Sequence, residues 1–115
     1  MQVIIEGTLP TANKYINAER TNRYIGAKLK HDATNLVAWQ CKKMEKITKP
    51  ADYTFTWYVP NKRSDPDNIA FGAKFVFDGL QVAGKLDNDN FKMVRSITHF
   101  FEVGEPRLVL LIDEA

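Results

Sequence analysis

The chain has 115 residues, 44% of them hydrophobic and 26% charged, with a formal net charge of +2. That length suits one domain spanning residues 1–115 with a single modest core, and the composition excludes wholesale disorder. No apolar run nears the ~20 residues of a membrane span, no basic leader with an apolar core opens the chain, and its one cysteine, Cys41, cannot form an internal disulfide. The default reading is therefore a cytoplasmic protein with no membrane association and a buried, inert thiol.

Gln2–Glu6 is rich in β-branched residues and predicts a strand, and Gly7–Asn13 reads as a loop. Lys14–Tyr24 mixes aromatic and basic residues and is assigned no regular element. Ala27–Ile47 predicts a helix, with Leu29, Ala33, Leu36, Val37, Gln40 and Met44 at spacings of three and four and Pro50 as its stop. Trp39 and Trp57 are expected in the core. Tyr53–Val59 alternates as a strand, and Pro60–Ser64 is a basic loop. Asp65-Pro66-Asp67-Asn68 is a helix start, with an acidic cap and proline in the first turn; one helix is expected from there to about Val82, ended by Gly84. Ala70, Ala73, Phe77 and Leu80 are its expected core contacts. Lys85–Asn90 is an acidic, Asn-rich loop. Met93–Val103 and Arg107–Asp113 predict two strands joined by Gly104-Glu105-Pro106 as a hairpin turn. The order β-α-β-α-β-β implies an α+β domain, a mixed sheet with flanking helices.

Charge is unevenly spread. Thr11–Lys49 holds nine Lys and Arg against three acids, a net +6, whereas Glu102–Ala115 carries −3. A basic segment on a near-neutral chain suits a polyanion; a solvated helix face is the equally plain alternative. Lys14, Arg20, Arg23, Lys28 and Lys30, with Lys62 and Arg63 of the basic loop, are the candidate phosphate contacts. Tyr15 and Tyr24 are candidates for stacking on bases or for packing. His31 and His99 have no partner at metal or triad spacing and receive no role.

Asn61–Lys92 concentrates the chemistry. Asp65 and Asp67 stand just before a helix, and Asp87 and Asp89 in the loop after it. If the two acidic points meet, they offer the oxygen ligands that Mg²⁺ prefers. Asp-Pro-Asp-Asn and Asp-Asn-Asp are also ordinary cap and loop chemistry. An EF-hand is excluded, because its sixth position is Lys92 and its twelfth Thr98. Asp78 lies too far along the helix from Asp67 to share a metal and reads as structural; Asn68 reads as a ligand orienter or a cap.

These residues resemble the RusA-type Holliday junction resolvases. That family carries Asp-x-Asp-Asn opening a helix, then Phe-Asp-(Ala/Gly)-Leu, then Gly and an acidic pair. Here stand Asp65-Pro66-Asp67-Asn68, Phe77-Asp78-Gly79-Leu80, Gly84 and Leu86-Asp87-Asn88-Asp89. Leu9-Pro10-Thr11-Ala12-Asn13-Lys14-Tyr15 is similar to the family's first loop, so the resemblance covers nearly the whole chain. It implies a RusA-like fold and a homodimeric, Mg²⁺-dependent endodeoxyribonuclease that resolves four-way (Holliday) DNA junctions by paired symmetric nicks in recombination and repair, with no small-molecule cofactor. Asp65 and Asp67 carry over as metal carboxylates, and Asp89 as the third, with Asp87 in reserve. The family's lysine matches Lys74 counted back from Phe77-Asp78, but not forward from Asp67. Ser64 stands where familiar members have a basic residue. The alternatives are a related nuclease acting on flaps, forks or single strands, an inactive junction-binding protein, and a plain structural or regulatory domain.

Overall fold

The computed structural model describes residues 1–115. Its elements are β1 (Gln2–Glu6), α1 (Ala12–Thr21), α2 (Arg23–Gln40), β2 (Ala51–Val59), α3 (Pro66–Ala70), α4 (Ala73–Val82), β3 (Val94–Val103) and β4 (Arg107–Glu114). The α+β expectation holds, with a mixed four-stranded sheet, and no helix is long and apolar enough to cross a membrane.

The sheet order is β1-β4-β2-β3. β2 is central because Ala51, Tyr53, Phe55 and Trp57 are all buried on one face. Alternate residues of β4 (Leu108, Leu110, Ile112) and of β1 (Val3, Ile5) share that face, and Val37, Cys41, Val76, Phe77 and Leu80 of the helical layer pack on it. Burial pushes the Cys41 thiol up to about 11, so it stays protonated and inert as expected.

Four local expectations are corrected. First, β3 and β4 do not form a hairpin: β3 pairs with β2 in parallel, and β4 pairs with the other edge of β2 antiparallel. The Gly104-Glu105-Pro106 turn therefore steps across one strand, about 10 Å, which so short a loop can span. Second, Lys14–Tyr24 is helical. Thr11 caps α1 by accepting from Lys14 N–H at 3.3 Å, and Asn22 caps α2 by accepting from Tyr24 N–H at 2.7 Å. Third, the long helix starts at Arg23 and ends at Gln40, not Ile47. Ala33 and Val37 are buried as expected, but the rest of the buried stripe is Gly26, Thr34 and Ala38, with Cys41 just beyond, so Leu36 and Trp39 face outward and Trp39 is 71% exposed. Fourth, the helix opened by Asp65 breaks at Phe71-Gly72. Amides there bond three residues back (Gly72 to Ile69, Lys74 to Phe71, Phe75 to Gly72), and a Cβ on Gly72 would lie 2.9 Å from the Trp57 ring. Trp57 thus passes close under the joint between α3 and α4.

Candidate functional site

Asp65 is the N-cap of α3, with extended backbone and its carbonyl accepting from Asn68 and Ile69 N–H at 3.1 Å. Its carboxylate makes no capping bond, although that is the usual task of an acid there. Pro66, lacking an N–H, opens the helix and leaves one donor fewer to satisfy. Asp67 sits in the first turn, and its Oδ1 accepts from the Asn68 N–H at 2.9 Å. Both acids are exposed. Asn68 neither caps α3 nor turns toward the acids: its Oδ1 accepts from Asn13 N–H at 2.9 Å, tying the start of α1 to the start of α3. That bond brings the neighbouring Lys14 to the same end of the molecule.

Asp65 lines a groove of about 540 Å³ with Lys62, Ser64, Phe101, Glu102 and Val103. Glu102 is an acid that sequence reasoning missed. Only the parallel register, which sets Glu102 beside Tyr58 at the end of β2, brings it here, and no local motif marks it. Lys62 and Arg63 flank the carboxylates on the loop leaving β2. Neither they nor Lys14, Arg20, Arg23 and Lys30 engage a carboxylate within ion-pair distance, whereas Lys28 is held by Asp32 at 2.8 Å.

The second acidic point lies elsewhere. β2 and β3 run in parallel with Ala51 beside Val94 and Val59 beside Val103. The Asp87–Asp89 loop precedes β3, and the Asp65–Asp67 turn follows β2, so the two sit at opposite ends of the sheet. At ~3.3 Å per residue, the nine residues of β2 separate them by about 26 Å. The expectation that the two points meet is overturned, because α3 and α4 together carry the chain back along β2 before β3 begins. No three His, Cys, Asp or Glu side chains of the chain converge closely enough to hold a metal ion.

Asp87 accepts an ion pair from Lys46 Nζ at 2.8 Å. Asp89 is exposed and borders a depression of about 500 Å³ with Phe91, Arg95, Ser96 and Ile97. Asn90 fixes this corner: its carbonyl accepts from Met93 and Val94 N–H at 3.0 and 2.9 Å. Lys74, in the first turn of α4, lies 3.9 Å from Asp78 Oδ2 and lines neither acidic pocket. That Asp78 oxygen is buried and has no hydrogen-bond partner.

Tyr15 packs on Phe71 and Phe75, with ring centroids 5.7 and 5.9 Å apart. It joins α1 to the α3–α4 joint. Tyr24 is 72% exposed and lies under Arg23. His99, given no role from sequence, accepts a hydrogen bond from Trp57 Nε1 through Nδ1 at 2.9 Å.

A scan against protein-family models and a search of curated proteins return no match.

Proposed function

We propose that this protein is a Mg²⁺-dependent endodeoxyribonuclease of the RusA type, acting as a homodimer on four-way DNA junctions. The observation that carries the reading is the Asp65–Asp67 turn. Two exposed carboxylates, one idle at a helix cap, stand among unpaired cations at the end of a rigid strand. Helix caps normally consume such an acid; here its oxygens are free.

The donor set fits a hard divalent cation, which takes one or two carboxylates and completes its shell with water and substrate phosphate. Asp65 and Asp67 would hold it. When bound, the ion supplies an activated water and neutralises charge at the phosphodiester. The chain's own residues do the rest. Lys62, Arg63 and Lys14 hold flanking phosphates beside the carboxylates, and Arg20, Arg23 and Lys30 extend that contact along α1 and α2. The exposed Tyr24 offers a face for a base opened at the branch.

A second copy answers the separation of the acids. β1, one edge of the sheet, is five residues long, and its last residue is occupied by Gln40, whose Oε1 accepts from Glu6 N–H at 2.7 Å and whose Nε2 donates to Glu6 O at 3.1 Å. β3, the other edge, is ten residues long and exposes Ile97, Phe100 and Val103. A long, apolar, unblocked edge is a pairing template. Two β3 strands paired antiparallel about a two-fold set the start of one beside the end of the other. Asp89 of one copy then approaches the groove of Asp65 in the second, and Arg95 approaches the second copy's Glu102. In this arrangement each metal site draws Asp65 and Asp67 from one copy and Asp89 from the other.

The test is Mg²⁺-dependent cleavage of four-way junction, fork, flap and linear duplex by the purified protein. Paired symmetric nicks in the junction alone support the proposal. Preference for forks, flaps or single strands would replace it with the related nuclease. Junction binding without cleavage would make it a binding protein.

A further inference from the structure

Beside the acidic groove, across the loop that leaves β2, a separate cleft of about 290 Å³ opens among the Gly7–Thr11 loop, the end of β2 and the start of β4. Leu9, Val59 and Ile69 supply apolar walls. Arg63 and Arg107 border it, and neither has a carboxylate within ion-pair distance. The Arg107 guanidinium lies 3.7 Å from the Tyr58 ring centroid, braced by donation from Nη1 to Glu105 O at 3.1 Å. Asn61, Ser64 and Ile69 line both this cleft and the groove that holds Asp65. The two spaces are therefore the two sides of one loop.

An occupant must match apolar walls, a few polar edges and an uncompensated positive charge. A nucleotide has these parts in the right order: a flat base with apolar faces and hydrogen-bonding edges, joined to an anionic phosphate. A base stacked within a duplex cannot enter a cleft between loops, so only one turned out of the stack fits. We propose that this cleft receives a single unstacked base of the DNA strand whose phosphodiester lies against Asp65 and Asp67. The inference rests on the nuclease reading and adds a recognition element to it. Turning out a base costs least where pairing is already interrupted, so the cleft favours branched over linear DNA.

The experiment is an abasic scan. Each nucleotide next to the crossover of a four-way junction is replaced, one at a time, by a tetrahydrofuran abasic residue. Binding of the full chain is measured in EDTA, so that affinity is read without cleavage. One position per strand is expected at which losing the base weakens wild-type binding about ten-fold, the scale of one stacked base. Thr8→Trp and Asn61→Trp, both on exposed loops, each place an indole in the cleft mouth. Each should bind the intact junction about ten-fold more weakly and show no sensitive position. Equal binding of all abasic junctions by the wild type overturns the cleft proposal and leaves the nuclease reading standing. A sensitive position that persists in both Trp variants overturns it too, because the base is then held elsewhere. Absence of junction binding by the wild type overturns both.

Discussion

The indole N–H of Trp57 donates to Nδ1 of His99 across the parallel β2–β3 pair at 2.9 Å, and Phe55 packs against both rings. The bond requires an unprotonated Nδ1. It couples the buried aromatic row of β2 to the strand whose two ends border the two acidic pockets.

Burial holds the His99 imidazole below its ordinary value of 6.5. Between that lowered value and 6.5 the unfolded chain binds more protons than the folded one, so stability rises with pH through the window. The contribution is complete above 6.5 and is lost as pH falls through the folded-state value. Urea midpoints of wild type and His99→Leu should therefore diverge least at acid pH. The wild-type advantage should be full at pH 7.5 and smaller at pH 5. In a Trp39→Phe background, Trp57 fluorescence should titrate over the same range; a pH-independent difference between the two proteins refutes the coupling.

Asp67→Asn should abolish junction cleavage and preserve junction binding. On the proposed reading the substitution removes a metal oxygen and one negative charge facing DNA, so affinity holds or rises. Single-turnover rates should fall by more than about 100-fold, since losing even an outer partner of a metal ligand costs about 10–100-fold. Wild-type rates in the variant remove Asp67 from the site.

Asp89→Asn should be far more damaging than Asp87→Asn, because Asp87 is engaged by Lys46 while Asp89 is free at the corner before β3. The proposed sharing of the site between copies gives a sharper outcome. Inactive Asp67→Asn and inactive Asp89→Asn chains, mixed and re-annealed, should recover single-nick activity, because one of the two shared sites in the mixed dimer is intact. A site built within one copy gives no recovery. Near-normal cleavage by both second-cluster variants removes that cluster from the site.

Charge-removing substitutions at Lys14, Arg20, Arg23, Lys30, Lys62 and Arg63 should weaken binding whatever the DNA sequence. Each lost phosphate contact should lower the salt slope by about 0.9. Lys28→Ala serves as the comparison, since Asp32 already holds that ammonium at 2.8 Å. Equal slopes for Lys28→Ala and Lys62→Ala would assign the basic residues to a solvated face.

Gly79→Ala should destabilise the fold. A Cβ there would lie 2.5 Å from Val37 Cγ1 and 3.0 Å from Thr34 O, so α2 must move away from α4. Alanine gains about 0.5–1 kcal/mol of helix propensity, but the clash in a packed core costs about 1–3 kcal/mol and wins. Thermal melting checks the sign: a raised midpoint would show that α2 yields freely.

Local chemistry was legible in the residues themselves. The alternation Tyr53, Phe55, Trp57 fixes which face of β2 is buried, the cap at Asp65 with Pro66 starts α3, and Gly84, at φ +71°, ends α4. Each depends on neighbours a few positions away, so the chain states it directly. The acids of the Asp65–Asp67 turn were visible for the same reason. Pairing was not, because hydrogen bonds between strands join residues far apart in sequence, and a three-residue turn serves a hairpin or a one-strand step equally well. The parallel docking of β3 on β2 was settled by tertiary packing. With it came the arrival of Glu102 beside Asp65, the removal of Asp89 to the opposite end of the sheet, and the open β3 edge. Trp39 follows the same logic: its helix and the inward Ala33 and Val37 were readable, but the packing of α2 on α4, with Val37 against Gly79, also buries Thr34 and Ala38 and turns Trp39 to solvent.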